Sequence, residues 1–173
     1  MEYVEGGSLQ ARLDDTPLDD TEALALIIPV GEALAYAHSR GIIHRDVKPG
    51  NILLARPDWP LLADFGLVKV VGAPQKKGDT SPRLMLSQKL TLPGSILGTL
   101  AYLAPEQLSE TCARADRRID VYSLGVTLFE MIAGRRPYDA PTRDALYREI
   151  LAGSPPRLRT LAPAVNRDLE TVV

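Results

Sequence analysis

The chain has 173 residues, which is enough for one domain with a buried core. Its hydrophobic fraction of 45% is typical of a globular protein and excludes a disordered chain. The formal net charge is −2, and nothing in this charge balance argues for a nucleic-acid or membrane-surface partner. With Cys112 as the one cysteine, no internal disulfide can form, which fits a reducing, cytoplasmic compartment. No apolar run approaches the roughly 20 residues of a membrane-spanning helix.

The first half of the sequence predicts two helices followed by short strands. Residues 8–13 predict a short helical turn. Residues 21–39 predict a long helix, because apolar residues recur at helical spacing and Gly41 follows its end. Pro29 lies inside this helix, so we expect a kink or a displaced turn there. Brief apolar runs bounded by turn residues predict strands at 42–43, 52–54 and 61–63.

The second half predicts further helices after a long segment without periodicity. Residues 70–97 are basic and rich in turn formers, and so long a segment is usually functional or disordered. Residues 120–133 are apolar on nearly every face, which predicts a buried helix with Asp120 as N-cap and Gly134 as stop. Other helices are predicted at 104–108, at 142–152 and at 166–173, and a loop at 155–163. Thr142 is the predicted cap of the helix 142–152, and Gly153 is its predicted stop.

One string of eight residues carries the chemistry that we expect of this chain. It reads His44-Arg45-Asp46-Val47-Lys48-Pro49-Gly50-Asn51, and Asp64-Phe65-Gly66 follows it. Asp46 can accept a proton from a hydroxyl, and Lys48 can neutralise charge on a moving phosphoryl group. Asn51 and Asp64 offer hard oxygen ligands to Mg²⁺, which takes carboxylate and phosphate oxygens. The set predicts a phosphoryl-transfer site.

These motifs resemble those of the protein kinases. Segments 98–106, 120–125 and 134–138 are also similar to kinase motifs and follow in the same order. The resemblance implies that Asp46 is the catalytic base, that Lys48 contacts phosphate, and that Asn51 and Asp64 bind the metal. Thr99 would bridge Asp46 and Lys48.

Other residues take structural roles by the same resemblance. Glu106 would form a buried ion pair, and Asp120 would bond the backbone around His44 and Arg45. His44 would pack in the core, and His38 is predicted to be a packing residue on the first long helix.

The resemblance also implies a nucleotide site for ATP with Mg²⁺. Residues 1–7 resemble the hinge between kinase lobes, where the backbone of Glu2 and Val4 would face adenine. Leu53 would form the floor of the adenine pocket. The expected contacts to the cofactor are completed by Lys48, Asn51 and Asp64.

The implied fold is α+β: a protein-kinase-like C-lobe, mainly α-helical, with short β-strands at the catalytic cleft and no N-lobe. The expected organisation is one partial kinase domain over residues 1–173. Its parts are the hinge 1–7, the catalytic loop 44–51, the activation segment 64–106 and a truncated helical subdomain 107–173.

Two functions follow from this reading. The first is a serine/threonine protein kinase that, within a complete domain, transfers the ATP γ-phosphate to protein Ser/Thr hydroxyls. Lys48 resembles the lysine of serine/threonine-specific members, and the motifs look like bacterial kinases of the eukaryotic type, some of which are membrane-tethered. The alternative is an inactive kinase fragment that acts as a binding or decoy module or is a gene remnant. It arises because a Gly-rich loop and a strand lysine are missing from the sequence.

Overall fold

The computed structural model describes residues 6–64, 69–70, 96–108 and 116–173. In the first segment, helices α1 (Leu9–Leu13) and α2 (Asp20–Ser39) precede strands β1 (Ile42–Ile43), β2 (Ile52–Arg56) and β3 (Trp59–Leu62). Strand β4 is Lys69–Val70. The later helices are α3 (Ile96–Leu100), α4 (Pro105–Leu108), α5 (Arg118–Ala133), α6 (Arg143–Ala152), α7 (Leu158–Leu161) and α8 (Arg167–Val172). This mixture of many helices with short strands agrees with the predicted fold class at the coarse level.

The strands form two antiparallel pairs, β1 with β4 and β2 with β3. In the β2–β3 hairpin Ile52 lies opposite Leu62, so the residues just outside this pair also meet. The backbone N–H of Ala63 donates to the carbonyl of Asn51 over 2.8 Å. The hairpin therefore brings Asn51 beside the residue that precedes Asp64.

Helix α2 runs without interruption through Pro29, so the expected displaced turn is absent from it. A proline at this position removes the hydrogen bond to the carbonyl four residues earlier, which belongs to Ala25. Ala25 is exposed, so water can satisfy that carbonyl. The helix begins at Asp20, where the Asp19 carboxylate accepts from the Glu22 N–H over 2.8 Å.

Helix α5 lies between two hydrophobic clusters and contributes to both. Its Phe129 and Met131 pack in the cluster that α1, α2 and β2 share, whereas Val126 packs with α3 and α6. The predicted burial is therefore confirmed for most of the helix. Val121 departs from it, because its side chain is 60% exposed.

The prediction that Asp120 caps α5 is wrong. The helix begins at Arg118, so Asp120 lies inside its first turn, and its side chain is fully buried. Asp116 instead accepts from the Arg118 N–H over 3.0 Å. The reason is tertiary, because the Asp120 carboxylate binds backbone groups of another segment, described below.

The predicted ends of α5 and α6 agree with the structure. Gly134 and Gly153 follow the two helices with φ of 66° and 62°, the left-handed conformation in which glycine is favoured. The Thr142 hydroxyl accepts from the Ala145 N–H and caps α6. The predicted loop 155–163 is wrong in part, because it contains α7, whose Leu158 is buried in the larger cluster.

Within the ranges described above, no helix is both long enough and apolar enough to span a bilayer.

Candidate active site

The site is centred on a lysine that lies between a buried carboxylate and a distant threonine. The Lys48 Nζ donates to both carboxylate oxygens of Asp46 at 3.0 Å. The same ammonium donates to the Thr99 hydroxyl over 3.1 Å. Asp46 is 7% exposed, and Thr99 lies on α3, far along the chain. The structure thus brings together the three residues for which the sequence predicted catalytic roles.

Asn51 is held against Asp46 by its side-chain amide. Its Nδ2 donates to the Asp46 carbonyl at 2.7 Å and to the Oδ2 of Asp46 at 3.0 Å. The 3₁₀ turn Pro49–Asn51 makes this possible, because it folds Asn51 back toward the start of the loop. With both amide hydrogens committed, the Oδ1 oxygen is the part of Asn51 that can bind a cation.

Asp64 follows the hairpin and adopts a left-handed backbone with φ of 60°. A non-glycine residue in this region is uncommon, although aspartate tolerates it better than most. Its side chain is exposed, and the bond from Ala63 to Asn51 fixes the preceding residue. Asp64 therefore leaves the hairpin next to Asn51, in a conformation that is found often at functional sites.

His44 connects the end of the β2–β3 hairpin, next to Asp64, to the catalytic loop. Its Nδ1 lies 3.3 Å from the backbone N–H of Asp46, and its Nε2 lies 3.0 Å from the Ala63 carbonyl. Because an N–H can only donate and a carbonyl can only accept, the proton resides on Nε2. His44 is fully buried, as predicted, and it bonds both Asp46 and the residue before Asp64.

Asp120 anchors the backbone of the loop from helix α5. Its carboxylate accepts from the N–H of His44 at 2.9 Å and from the N–H of Arg45 at 2.7 Å. Arg45 has a φ of 69°, which is unusual for a residue with a long side chain. The two hydrogen bonds from the backbone to Asp120 help to hold Arg45 in this conformation. They also confirm the predicted contact between Asp120 and the loop backbone.

Sequence reasoning missed a second partner of Asp120. The Nε2 of His38, on α2, lies 2.8 Å from the Oδ2 of Asp120. His38 was predicted only to pack, yet it joins α2 to the same carboxylate that holds the loop. Its position near the end of the helix that leads into the catalytic loop was the available signal, but the partner lies 82 residues away.

A groove of about 490 Å³ opens beside Lys48 and Thr99. In it the hydroxyl of Tyr102 donates to the carboxylate of Glu130, a residue of α5. Burial raises the pKa of Glu130, and it also raises the pKa of Tyr102. Neither residue was singled out from the sequence, where they stand 28 positions apart.

The remaining predicted nucleotide contacts are only partly described. Leu53 is half-buried on β2, and the Leu54 N–H donates to the Gly7 carbonyl over 2.9 Å, so the segment before α1 runs along this strand. Glu2 and Val4 lie outside the described residues, as do Phe65, Gly66 and most of the activation segment 64–106.

The predicted burial of Glu106 is wrong. Glu106 is exposed in the first turn of α4, whereas Ala104, just before the helix, is fully buried. The short helix turns its glutamate toward solvent.

The donor set fits a magnesium ion better than a metal held by protein alone. Among the residues that the structure describes, no three His, Cys, Asp or Glu side chains cluster to hold a metal. Magnesium usually takes one or two protein oxygens and completes its shell with water and phosphate. Asn51 Oδ1 and the Asp64 carboxylate are oxygens of that kind.

Comparison with known proteins identifies the family. A family model described as "Protein kinase domain" matches residues 1–169. The chain belongs to the protein kinase family. PknL of Mycobacterium tuberculosis, a serine/threonine-protein kinase, is 36% identical over 174 residues and is matched by 100% of this kinase chain. PknJ of the same species, also a serine/threonine-protein kinase, is 35% identical over 181 residues.

A third relative is the serine/threonine-protein kinase pkn2 of Myxococcus xanthus, which is 36% identical over 170 residues and is matched by 96% of the chain. The kinase chain spans 40% of the length of PknL, 28% of PknJ and 19% of pkn2. It belongs with the serine/threonine members of the family, which use ATP and Mg²⁺.

Proposed function

We propose that this site, within a complete kinase domain, transfers the γ-phosphate of ATP to serine or threonine hydroxyls of a protein. The observation that carries the proposal is the bonded cluster of Asp46, Lys48 and Thr99. It places a buried carboxylate and a fixed positive charge side by side, at the edge of an open groove. The relatives, all named serine/threonine-protein kinases, support it.

Asp46 orients the acceptor hydroxyl and takes its proton. Its Oδ2 already accepts from Lys48 and Asn51, which fix the orientation of the carboxylate. Orientation matters here because phosphoryl transfer proceeds through a loose transition state in which positioning and charge stabilisation dominate. The incoming hydroxyl donates to the carboxylate and directs its oxygen lone pair at the phosphorus.

Lys48 supplies positive charge where the transferred group passes. Its ammonium is fixed on one side by Asp46 and on the other by Thr99, so little reorganisation is needed during the reaction. Asn51 and Asp64 would hold Mg²⁺, which neutralises phosphate charge when bound. Leu53 offers apolar surface to adenine, and the backbone of Glu2 and Val4 is proposed to face the same ring.

The 173 residues supply, in our proposal, the lower half of the site: the hinge and catalytic loop with the helical subdomain. The Gly-rich loop and strand lysine that kinases place above the phosphates have no counterpart in this sequence. We therefore expect the 173-residue chain by itself to transfer phosphate very slowly. The location of the reaction in the cytoplasm remains a prediction.

Transfer of ³²P from ATP to a generic acceptor protein tests the proposal. The protein to use is the longest in-frame product of the gene, after the DNA upstream of Met1 has been read for a Gly-rich loop and a lysine strand. Asp46→Asn should lower the rate about 100-fold or more, since a positioned base contributes at least that much. Asp58→Asn, in an exposed turn, is the matched control. Transfer that survives Asp46→Asn contradicts the proposal, and no transfer from any product supports the inactive alternative.

A further inference from the structure

The groove beside the acceptor site is lined by several charged side chains. Lys48 and Thr99 belong to its lining, and so do Arg135, Arg136 and Asp139. Tyr102 and Glu130 lie in the groove as well. Its volume of about 490 Å³ lies in the range of ligand-binding pockets. Lys48 in the lining is bonded to Asp46, so a substrate segment with its hydroxyl at Asp46 can extend into the groove and meet these charges.

Most of these charges already have partners. Lys48 is bonded to Asp46 at 3.0 Å, and the Arg136 guanidinium forms an ion pair with Asp139 at 2.8 Å. Glu130 is half-buried and accepts the hydroxyl of Tyr102. Burial also raises the pKa of Glu130, which weakens it as a receptor for a positive charge.

Arg135 is different, because its charge is available. Its side chain is exposed, and no ion pair joins its guanidinium to any carboxylate among residues 6–64, 96–108 and 116–173. The left-handed turn at Gly134 fixes the direction in which the chain presents it. A guanidinium is a planar fork of donors that matches a carboxylate in geometry.

We propose that the groove selects an acidic segment of the substrate protein, with Arg135 pairing with a carboxylate a few residues from the acceptor serine or threonine. The inference rests on the proposed function, because it assigns the groove to the protein substrate. It adds a class of substrate, namely proteins with an acidic segment near the acceptor residue, and it names Arg135 as the residue that determines this preference.

Three fluorescent peptides with one central serine test this inference. Their flanking residues are glutamate in the first, glutamine in the second and lysine in the third. Binding to the full chain is followed by fluorescence anisotropy. The acidic peptide should bind about tenfold more tightly than the basic one, a difference of about 1.4 kcal/mol. Arg135→Gln should reduce the difference to about twofold or less, whereas Arg157→Gln, an exposed arginine outside the groove, should preserve it.

Three outcomes would overturn the inference. One is an acidic preference that survives Arg135→Gln, and another is the absence of binding for all three peptides. The third is tightest binding of the basic peptide, weakened by Glu130→Gln, which would assign the groove to basic segments. Circular dichroism of each variant verifies that its fold is intact.

The binding assay also separates this inference from the proposed reaction. Peptide binding requires no phosphoryl transfer, so an acidic preference can be measured on an inactive protein. Absent transfer with a preference that depends on Arg135 would contradict the proposed function alone. Asp46-dependent transfer without any acidic preference would contradict only the inference about the groove.

Discussion

Two buried aspartates at the centre of the molecule have different kinds of partner. Asp46 faces an ammonium and an amide, and the ammonium belongs to Lys48, which lines the groove. Asp120 is fully buried and accepts from two backbone N–H groups and from His38. In our proposal the substrate hydroxyl approaches the first carboxylate, whereas the second holds the loop in a strained conformation. We therefore propose a chemical role for Asp46 and a supporting role for Asp120.

Asp120→Asn should destabilise the protein by about 2–4 kcal/mol. An amide has one oxygen, so it cannot accept from all three donors, and its NH₂ group would oppose at least one of them. The measurement is the free energy of unfolding in urea. Asp58→Asn, at an exposed turn, should stay within about 0.5 kcal/mol of the wild type. Equal stability of Asp120→Asn and the wild type would contradict the anchoring role.

Glu130→Gln should change how stability depends on pH. Burial raises the pKa of Glu130 above its ordinary value of 4.5, the Asp14 and Asp139 carboxylates also raise it, and Tyr102 and Arg136 lower it. The folded state therefore binds more protons than the unfolded state between the ordinary and the raised pKa. Stability falls as pH rises through that window.

The Glu130→Gln variant cannot titrate at this position, so its melting temperature should fall less from acidic to neutral pH. Thermal unfolding of both proteins across that pH range makes the comparison. If the melting temperature of both proteins fell equally with pH, Glu130 would ionise in the folded protein as easily as in the unfolded chain, and the prediction would be wrong.

The site residues that belong to one short sequence motif could be predicted from the sequence. The contacts between residues that lie far apart in the chain could not. The sequence indicated Asp46, Lys48, Asn51 and Asp64 because their spacing resembles a known motif. The bond between Tyr102 and Glu130 arises only where two clusters meet at α5. No local pattern encodes such a contact.

At the scale of elements, the helix ends that depend on local backbone conformation were predicted correctly from the sequence. Gly134 and Gly153 end their helices with positive φ, and Thr142 caps α6 as predicted. The α7 turn was missed because four residues are too few to show a helical period. The Asp120 cap was wrongly predicted because a tertiary partner outweighed the local preference.

Replacing the two helix-stop glycines by alanine should have unequal effects. Both adopt positive φ, which costs an alanine about 1–2 kcal/mol. A Cβ at Gly134 would also lie 2.6 Å from the Cγ of Pro17, whereas a Cβ at Gly153 meets open space. Gly134→Ala should therefore be at least about 1 kcal/mol less stable than Gly153→Ala. Urea unfolding of both variants decides it, and equal losses would mean that Pro17 moves aside freely.

At the scale of the whole molecule, the site lies where two hydrophobic clusters meet. Val47, next to Asp46, packs in the larger cluster with α2, while Leu100, next to Thr99, packs in the cluster with α6. Helix α5 contributes to both and carries Asp120 and Glu130. The distance between Asp46 and Thr99 thus depends on how these two clusters pack among the described residues, and the sequence could indicate this only through resemblance.

The central claim is that Asp46 and Lys48 act as one unit in phosphoryl transfer. The most direct measurement is the initial rate of ³²P transfer by the complete kinase domain carrying Asp46→Asn, Lys48→Ala or both. We predict that each single change lowers the rate about 100-fold or more and that the double variant is no slower than the slower single variant, as for groups that act together. Effects that multiply, or rates close to the wild type, would contradict the claim.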